Sequence, residues 1–163
     1  MAQQAIVLSP DHLSAIGRLV VAVSKIDSLL TDLLAGFMRC SIMAAIITVH
    51  HQQLASKVSS LLALMKLGLG KPDGEFKKIF DLMNDAKRIA DERNTIVHCL
   101  WTVGDDGELV ACRFTARGEF KRSRKPYSAA KIAALSREAD ELVVNLARLR
   151  DHFPATPLQS PQD

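Results

Sequence analysis

The chain is 163 residues long, 48% hydrophobic but only 5% aromatic, with a formal net charge of +3. That length supports one domain with a core of its own, and a core of Leu, Ala, Ile and Val suits packed helices better than a β-sandwich. So small a net charge assigns no class of partner by itself; how the charge is distributed matters more.

The three cysteines, Cys40, Cys99 and Cys112, are widely spaced. They form no Cys-x-x-Cys and have no His pair at ligand spacing, so reduced thiols are expected and a metal site is not. The first residues lack the basic start and apolar core of a signal peptide. The longest uncharged run, Cys40 to Ser56, is 17 residues and includes His50, His51, Gln52 and Gln53. It is too short and too polar to span a bilayer. A cytoplasmic protein without membrane association is the expectation.

Ser9-Pro10-Asp11 marks a helix start: a capping hydroxyl, proline at the first helical position, and an acid at the positive helix end. Leu13, Ile16, Leu19, Val20, Val23, Ile26, Leu30, Leu33, Leu34 and Phe37 follow at helical spacing to about Met38. Asp27 lies inside that stripe, among Val20, Val23, Leu30 and Leu34. A second helix is predicted over Ser41 to Leu67 with a break near His50-His51, and Gly68 to Gly74 reads as a stop and turn. Adjacent histidines point about 100° apart on a helix and cannot chelate together. Lys57, on the flank of this helix, reads as solvated.

A third helix is predicted from about Glu75 to Leu100. Ile79, Leu82, Met83, Ala86, Ile89, Ala90, Ile96, Val97 and Leu100 form its apolar arc, and Arg93 falls in the middle of it. An isolated buried guanidinium costs several kcal/mol or more, so it must meet a counter-charge. Two arrangements satisfy this: Arg93 pairs with Asp27 of the first helix, or one of the two snorkels to the surface along apolar neighbours.

The period then changes. Trp101-Thr102-Val103, Glu108 to Thr115 and Phe120 to Lys125 read as strands separated by turn compositions at Gly104-Asp105-Asp106-Gly107 and Ala116-Arg117-Gly118-Glu119. Arg113, Arg117, Lys121, Arg122, Arg124 and Lys125 stand here against Glu119 alone, which is +5 in a chain of +3, so the remainder is net acidic. Concentrated positive charge is the footprint of a polyanion contact, RNA included, and equally of a solvated loop. Ser128 then caps a last helix whose stripe is Ile132, Leu135, Ala139, Leu142, Val143, Leu146 and Leu149, ending at Pro154. The expected architecture is all-α: four long antiparallel helices, the second broken, with a small β-hairpin insertion at about 101–127 between helices three and four. It forms a single domain over 1–153, and residues 154–163, with Pro154, Pro157 and Pro161, are expected to be a disordered tail.

Arg93-Asn94-Thr95-Ile96-Val97-His98, late in a core helix of such a bundle, resembles the signature of HEPN domains: an Arg, a polar residue that is often Asn, and a His four to six residues after the Arg. As architecture the resemblance covers about residues 10–153, including the acidic Asp27 midway along the first helix and the continuation Cys99-Leu100-Trp101 into a hairpin. It implies a metal-independent, cofactor-free endoribonuclease working as a homodimer whose motif helices build a shared cleft, in a toxin–antitoxin or defence setting. His98 would act as acid or base on the ribose 2′-hydroxyl or leaving oxygen, Arg93 would stabilise the phosphate, and Asn94 would position it. Asp27 would support the site and the hairpin cations would bind RNA. The chemistry suits the residues, since His titrates near neutral pH and Arg offers a planar fork that fits phosphate.

Positions five apart on a straight helix differ by about 140°, so either Arg93 reaches around or another chain completes the site. Leu100 stands where some family members carry a Tyr that an antitoxin modifies, a departure from that regulatory scheme. The alternative that the same resemblance implies is a non-catalytic dimeric module binding RNA, nucleotide or a partner protein such as an antitoxin.

Overall fold

The computed structural model describes residues 8–68, 74–104, 108–117 and 119–157, without the side chains at 68, 75, 115–117 and 119–121. The chain is mostly helical, with five helices and one antiparallel sheet among these residues: α1 Pro10–Met38, α2 Ile42–Val49, α3 Leu54–Gly68, α4 Gly74–Val97, β1 Leu100–Val103, β2 Leu109–Arg117, β3 Glu119–Pro126 and α5 Ala129–His152. The turn expected at Gly68 to Gly74 falls largely on residues 69–73, outside the described residues, as do Asp105 to Gly107 and Gly118 of the two strand turns.

α1 starts where its capping signal predicts: the Ser9 hydroxyl accepts from His12 N–H, and Pro10 occupies the first turn, where its missing N–H costs nothing. It stops at Arg39, which takes the left-handed conformation (φ 53°), while Cys40 N–H closes back onto the Ala35 carbonyl at 3.0 Å. Ser41 at once caps α2, which leaves α1 at 114°. The stretch expected as one broken helix is thus two, parted by His50 to Gln53. No single helix is long and apolar enough to cross a membrane.

α1 is the central element, its Leu19, Val23, Ile26, Leu30 and Leu33 buried against α5, α3, α2 and α4. Its partnership with α5 corrects the all-antiparallel expectation. Asp11, Ala15 and Arg18 at the start of α1 lie beside Ala129 and Ala133 at the start of α5. At the other end the Phe37 and Phe153 rings stack at 4.5 Å. The two helices therefore run parallel. α4 runs against α5, with Glu92 near Tyr127 and Arg88 bonded to Glu138 at 2.9 Å. The meander begins and ends at the same end of α4, which sends α5 back alongside α1.

The strands pair in the order β1-β2-β3. Trp101 faces Ala111 and Ala111 faces Lys125, so these three share the face turned to the helices, where Trp101 meets Tyr127 edge-on at 6.3 Å. Leu100, Cys112, Phe114, Arg122 and Arg124 share the other face. α4 ends three residues before the predicted Leu100, and this moves Leu100 from the expected core to the outer sheet face, where it is exposed. Val97 is exposed as well.

The segment after α5 is anchored at its start. Thr156 N–H donates to the Cys40 carbonyl at 3.1 Å. Gly36 makes this approach possible: a Cβ there would lie 2.0 Å from the Phe153 carbonyl oxygen. Residues 158–163 lie outside the described residues. Gly36→Ala is expected to destabilise the fold by about 1–3 kcal/mol in chemical denaturation, the range for forcing a methyl into a packed contact; an unchanged midpoint would show that the C-terminal segment does not pack there.

Candidate functional site

The motif residues sit at the end of a helix rather than along one. α4 closes with His98 N–H donating to the Asn94 carbonyl at 3.1 Å, after which the chain turns into β1. A cleft of about 470 Å³ wraps around this end, and Arg93, Asn94 and His98 all line it. The 140° separation on an ideal wheel therefore does not part Arg93 from His98. The cleft is built from three elements: Ala90 to Asn94 of α4 with His98 just past its end, Gln53 to Ala55 at the start of α3, and Arg113 of β2. His98 and Arg113 are exposed, while Arg93 and Asn94 are half-buried.

Arg93 is not paired with Asp27. Asp27 takes the ammonium of Lys57 at 2.7 Å, and Lys57 also donates to the Thr31 hydroxyl at 3.1 Å. Lys57, expected to be solvated, is only 3% exposed, whereas the Asp27 side chain is 40% exposed. A buried ammonium without an acceptor would cost several kcal/mol, so the acid midway along α1 serves the cation that lies deepest. The Nε of Arg93 is buried and has no hydrogen-bond partner. Among the cleft-lining residues Asp91 is the one carboxylate, beside two arginines and one histidine.

The hairpin cations do not form one surface. Arg113 lines the cleft. Lys125 is bonded to Glu92 of α4, which also accepts from the buried Tyr127 hydroxyl. Arg122 and Arg124 belong to the opposite face, with Arg122 over the Phe114 ring at 5.9 Å. The side chains of Arg117 and Lys121 are not among those described. The two-residue alternation of the strands divides the described hairpin cations between the two faces of the sheet.

The Glu92 cluster ties the sheet to α4 immediately beside the motif. Burial works against its charge, but the Lys125 and Tyr127 hydrogen bonds and the Lys125 and Lys131 charges outweigh burial and hold Glu92 below its ordinary value. Burial, then the Glu92 bond and charge, push the Tyr127 phenol well up. On the outer face, a hydrogen bond from Thr102 lowers the Cys112 thiol against the effect of burial, with Arg122 and Arg124 adding to it. The first turn of α3 and the buried role of Lys57 escaped the sequence reading. The break at His50-His51 was the available signal for that turn, but nothing in the sequence placed it against α4.

No group of three or more His, Cys, Asp or Glu side chains able to hold a metal occurs among the described residues. No protein-family model, curated protein or solved structure matches the chain.

Two outcomes test this arrangement. In double-mutant cycles followed by denaturation, Asp27→Ala alone should cost about 2 kcal/mol, less than a fully buried pair because the carboxylate is partly solvated. Asp27→Ala with Lys57→Ala should couple by about 1 kcal/mol, while Asp27→Ala with Arg93→Ala should add; coupling to Arg93 instead would restore the Asp27–Arg93 pairing. A lowered Glu92 contributes stability that is fully present above its ordinary value of 4.5 and is lost as pH falls through the lowered one. Between about pH 5 and about pH 3 the wild type should therefore lose more stability than Glu92→Gln. Parallel acid titrations of the two would contradict this.

Proposed function

We propose that the protein is a metal-independent endoribonuclease of the HEPN kind, with α1, α3, α4 and α5 as its four long helices and α2 as an accessory turn. One observation carries the reading: Arg93, Asn94 and His98 line one solvent-open cleft. In this reading the RNA phosphodiester enters beside Arg93. His98 takes the proton from the ribose 2′-hydroxyl as its oxygen attacks phosphorus. The P–O5′ bond breaks, the leaving oxygen is protonated, and a 2′,3′-cyclic phosphate remains. Arg93 stabilises the charge on the five-coordinate phosphorus and Asn94 positions the phosphate. The protein acts as a homodimer, and a toxin or defence role is the setting the resemblance implies.

A second reading is favoured by a specific feature. The His98 imidazole has no hydrogen-bond partner among the described residues, so nothing there sets its tautomer, which general acid–base work requires. A dimeric module that binds RNA, nucleotide or a protein partner without cleaving asks for no such orientation. Cleavage of mixed RNA in excess EDTA separates the two. His98→Ala should lower the rate by about 10²–10⁴ and Arg93→Ala by about 10²–10³, each with the fold intact by circular dichroism. A folded wild-type protein that cleaves none of the RNA supplied would leave the binding module.

A further inference from the structure

We propose that the outer face of the sheet is a platform for single-stranded nucleic acid, on which Phe114 stacks a base while Arg122 and Arg124 meet the backbone. The inference deepens the ribonuclease reading and rests on it for the class of polymer. None of the platform residues lines the cleft, so binding here is measured apart from cleavage.

Antiparallel pairing sets Leu100, Cys112 and Arg124 side by side across the three strands, with Phe114 beside Arg122 one pleat further along. Alternate residues of a strand face the same way, so these side chains share one surface. Cys112 is buried in the middle of its row. Leu100, Phe114, Arg122 and Arg124 are exposed, Leu100 at 52% and Phe114 at 47%. The Arg122 guanidinium lies 3.9 Å from the Cys112 sulfur and 5.9 Å from the centre of the Phe114 ring. These contacts hold it along the face, and neither is with a carboxylate.

Charge selects the partner. No strand residue with a described side chain on this face is Asp or Glu. On the inner face, by contrast, Lys125 is bonded to Glu92. Two unopposed guanidinium groups beside an exposed ring and a leucine call for a polyanion that also carries flat apolar groups. A single strand has both, with phosphates along its backbone and bases free to stack. A duplex keeps its bases inside, and an acidic peptide would meet the arginines but leave the ring unused. Stacking and phosphate contacts read neither base nor sugar, so the platform takes RNA and DNA strands alike.

The test titrates the full-length protein into a fluorescently labelled all-2′-deoxy single strand, which 2′-hydroxyl attack cannot cut, and follows anisotropy at low salt. Phe114→Leu, which keeps apolar volume but removes the π-face, should weaken binding about tenfold, and Phe114→Tyr should retain it. Arg124→Ala should reduce the slope of log affinity against log salt by about 0.7, the value for one phosphate contact on a single strand. Lys87→Ala, which removes an exposed cation of α4, should change neither. The same sequence as a duplex should bind about tenfold more weakly. No binding, equal binding of the duplex, an unaffected Phe114→Leu or an unchanged Arg124→Ala slope would each overturn the platform. Displacement of the strand by polyglutamate at equal charge would overturn it as well, in favour of an acidic protein partner. Strand binding with the expected signatures in a protein that cuts no RNA would retire the ribonuclease reading alone. Cleavage of RNA by wild-type protein, with strand affinity unchanged in Phe114→Leu and Arg124→Ala, would retire this one.

Discussion

Lys57 is a cation enclosed almost completely by protein, and its bonds to Asp27 and Thr31 govern how the helices and the cleft are arranged. Leaving that ammonium unpaired would cost several kcal/mol, so the contact fixes the position of α3 on α1 within the narrow geometry of a charge-assisted hydrogen bond. The first turn of α3 lies one helical turn away, and its placement against the end of α4 creates the cleft. The same contact occupies the one acid midway along α1. Arg93 is left without that counter-charge.

The sheet has two separable roles because alternate residues of a strand face opposite ways. Its inner face anchors the meander to the helices through Ala111, the Trp101–Tyr127 contact and the bonds from Lys125 and Tyr127 to Glu92. Arg113, on β2, completes the cleft wall. Glu92 and Arg93 are adjacent in sequence on α4 but point to different sides of the helix, Glu92 toward Lys125 and Tyr127 and Arg93 to the cleft lining. Lys125 uses its charge in that anchor. Arg122 and Arg124, beside Cys112 and Phe114 on the outer face, contribute nothing to the cleft. A charge count over a hairpin therefore overstates the surface it presents to any one ligand.

The ends of α4 and α1 show how termini decide function and stability here. By stopping at Val97, α4 places His98 where the chain turns, and the angular separation that an ideal helix imposes between Arg93 and His98 loses its force. At the far end of the molecule, Gly36 lets the Phe153 backbone approach α1 more closely than any side chain would permit. Phe37 and Phe153 then stack, holding the parallel α1–α5 pair at its carboxy-terminal end.

The local features were legible from the chain alone. Ser9-Pro10 and Ser128 announce helix starts because a side-chain oxygen must satisfy amides that the helix leaves over, and this demand is written within three residues. The change from a period near 3.6 to alternation after about Leu100 announces the strands, and the anomalous polarity of Asp27 and Arg93 within apolar stripes announces that each needs a partner. Which partner each finds was not legible, because Asp27, Lys57 and Arg93 are far apart in sequence and any opposite pair satisfies the same electrostatic demand. The parallel course of α1 and α5, the division of the hairpin cations between two faces and the joining of the α3 amino end to the Arg93–His98 segment depend on contacts between distant elements, and these only the tertiary structure decided.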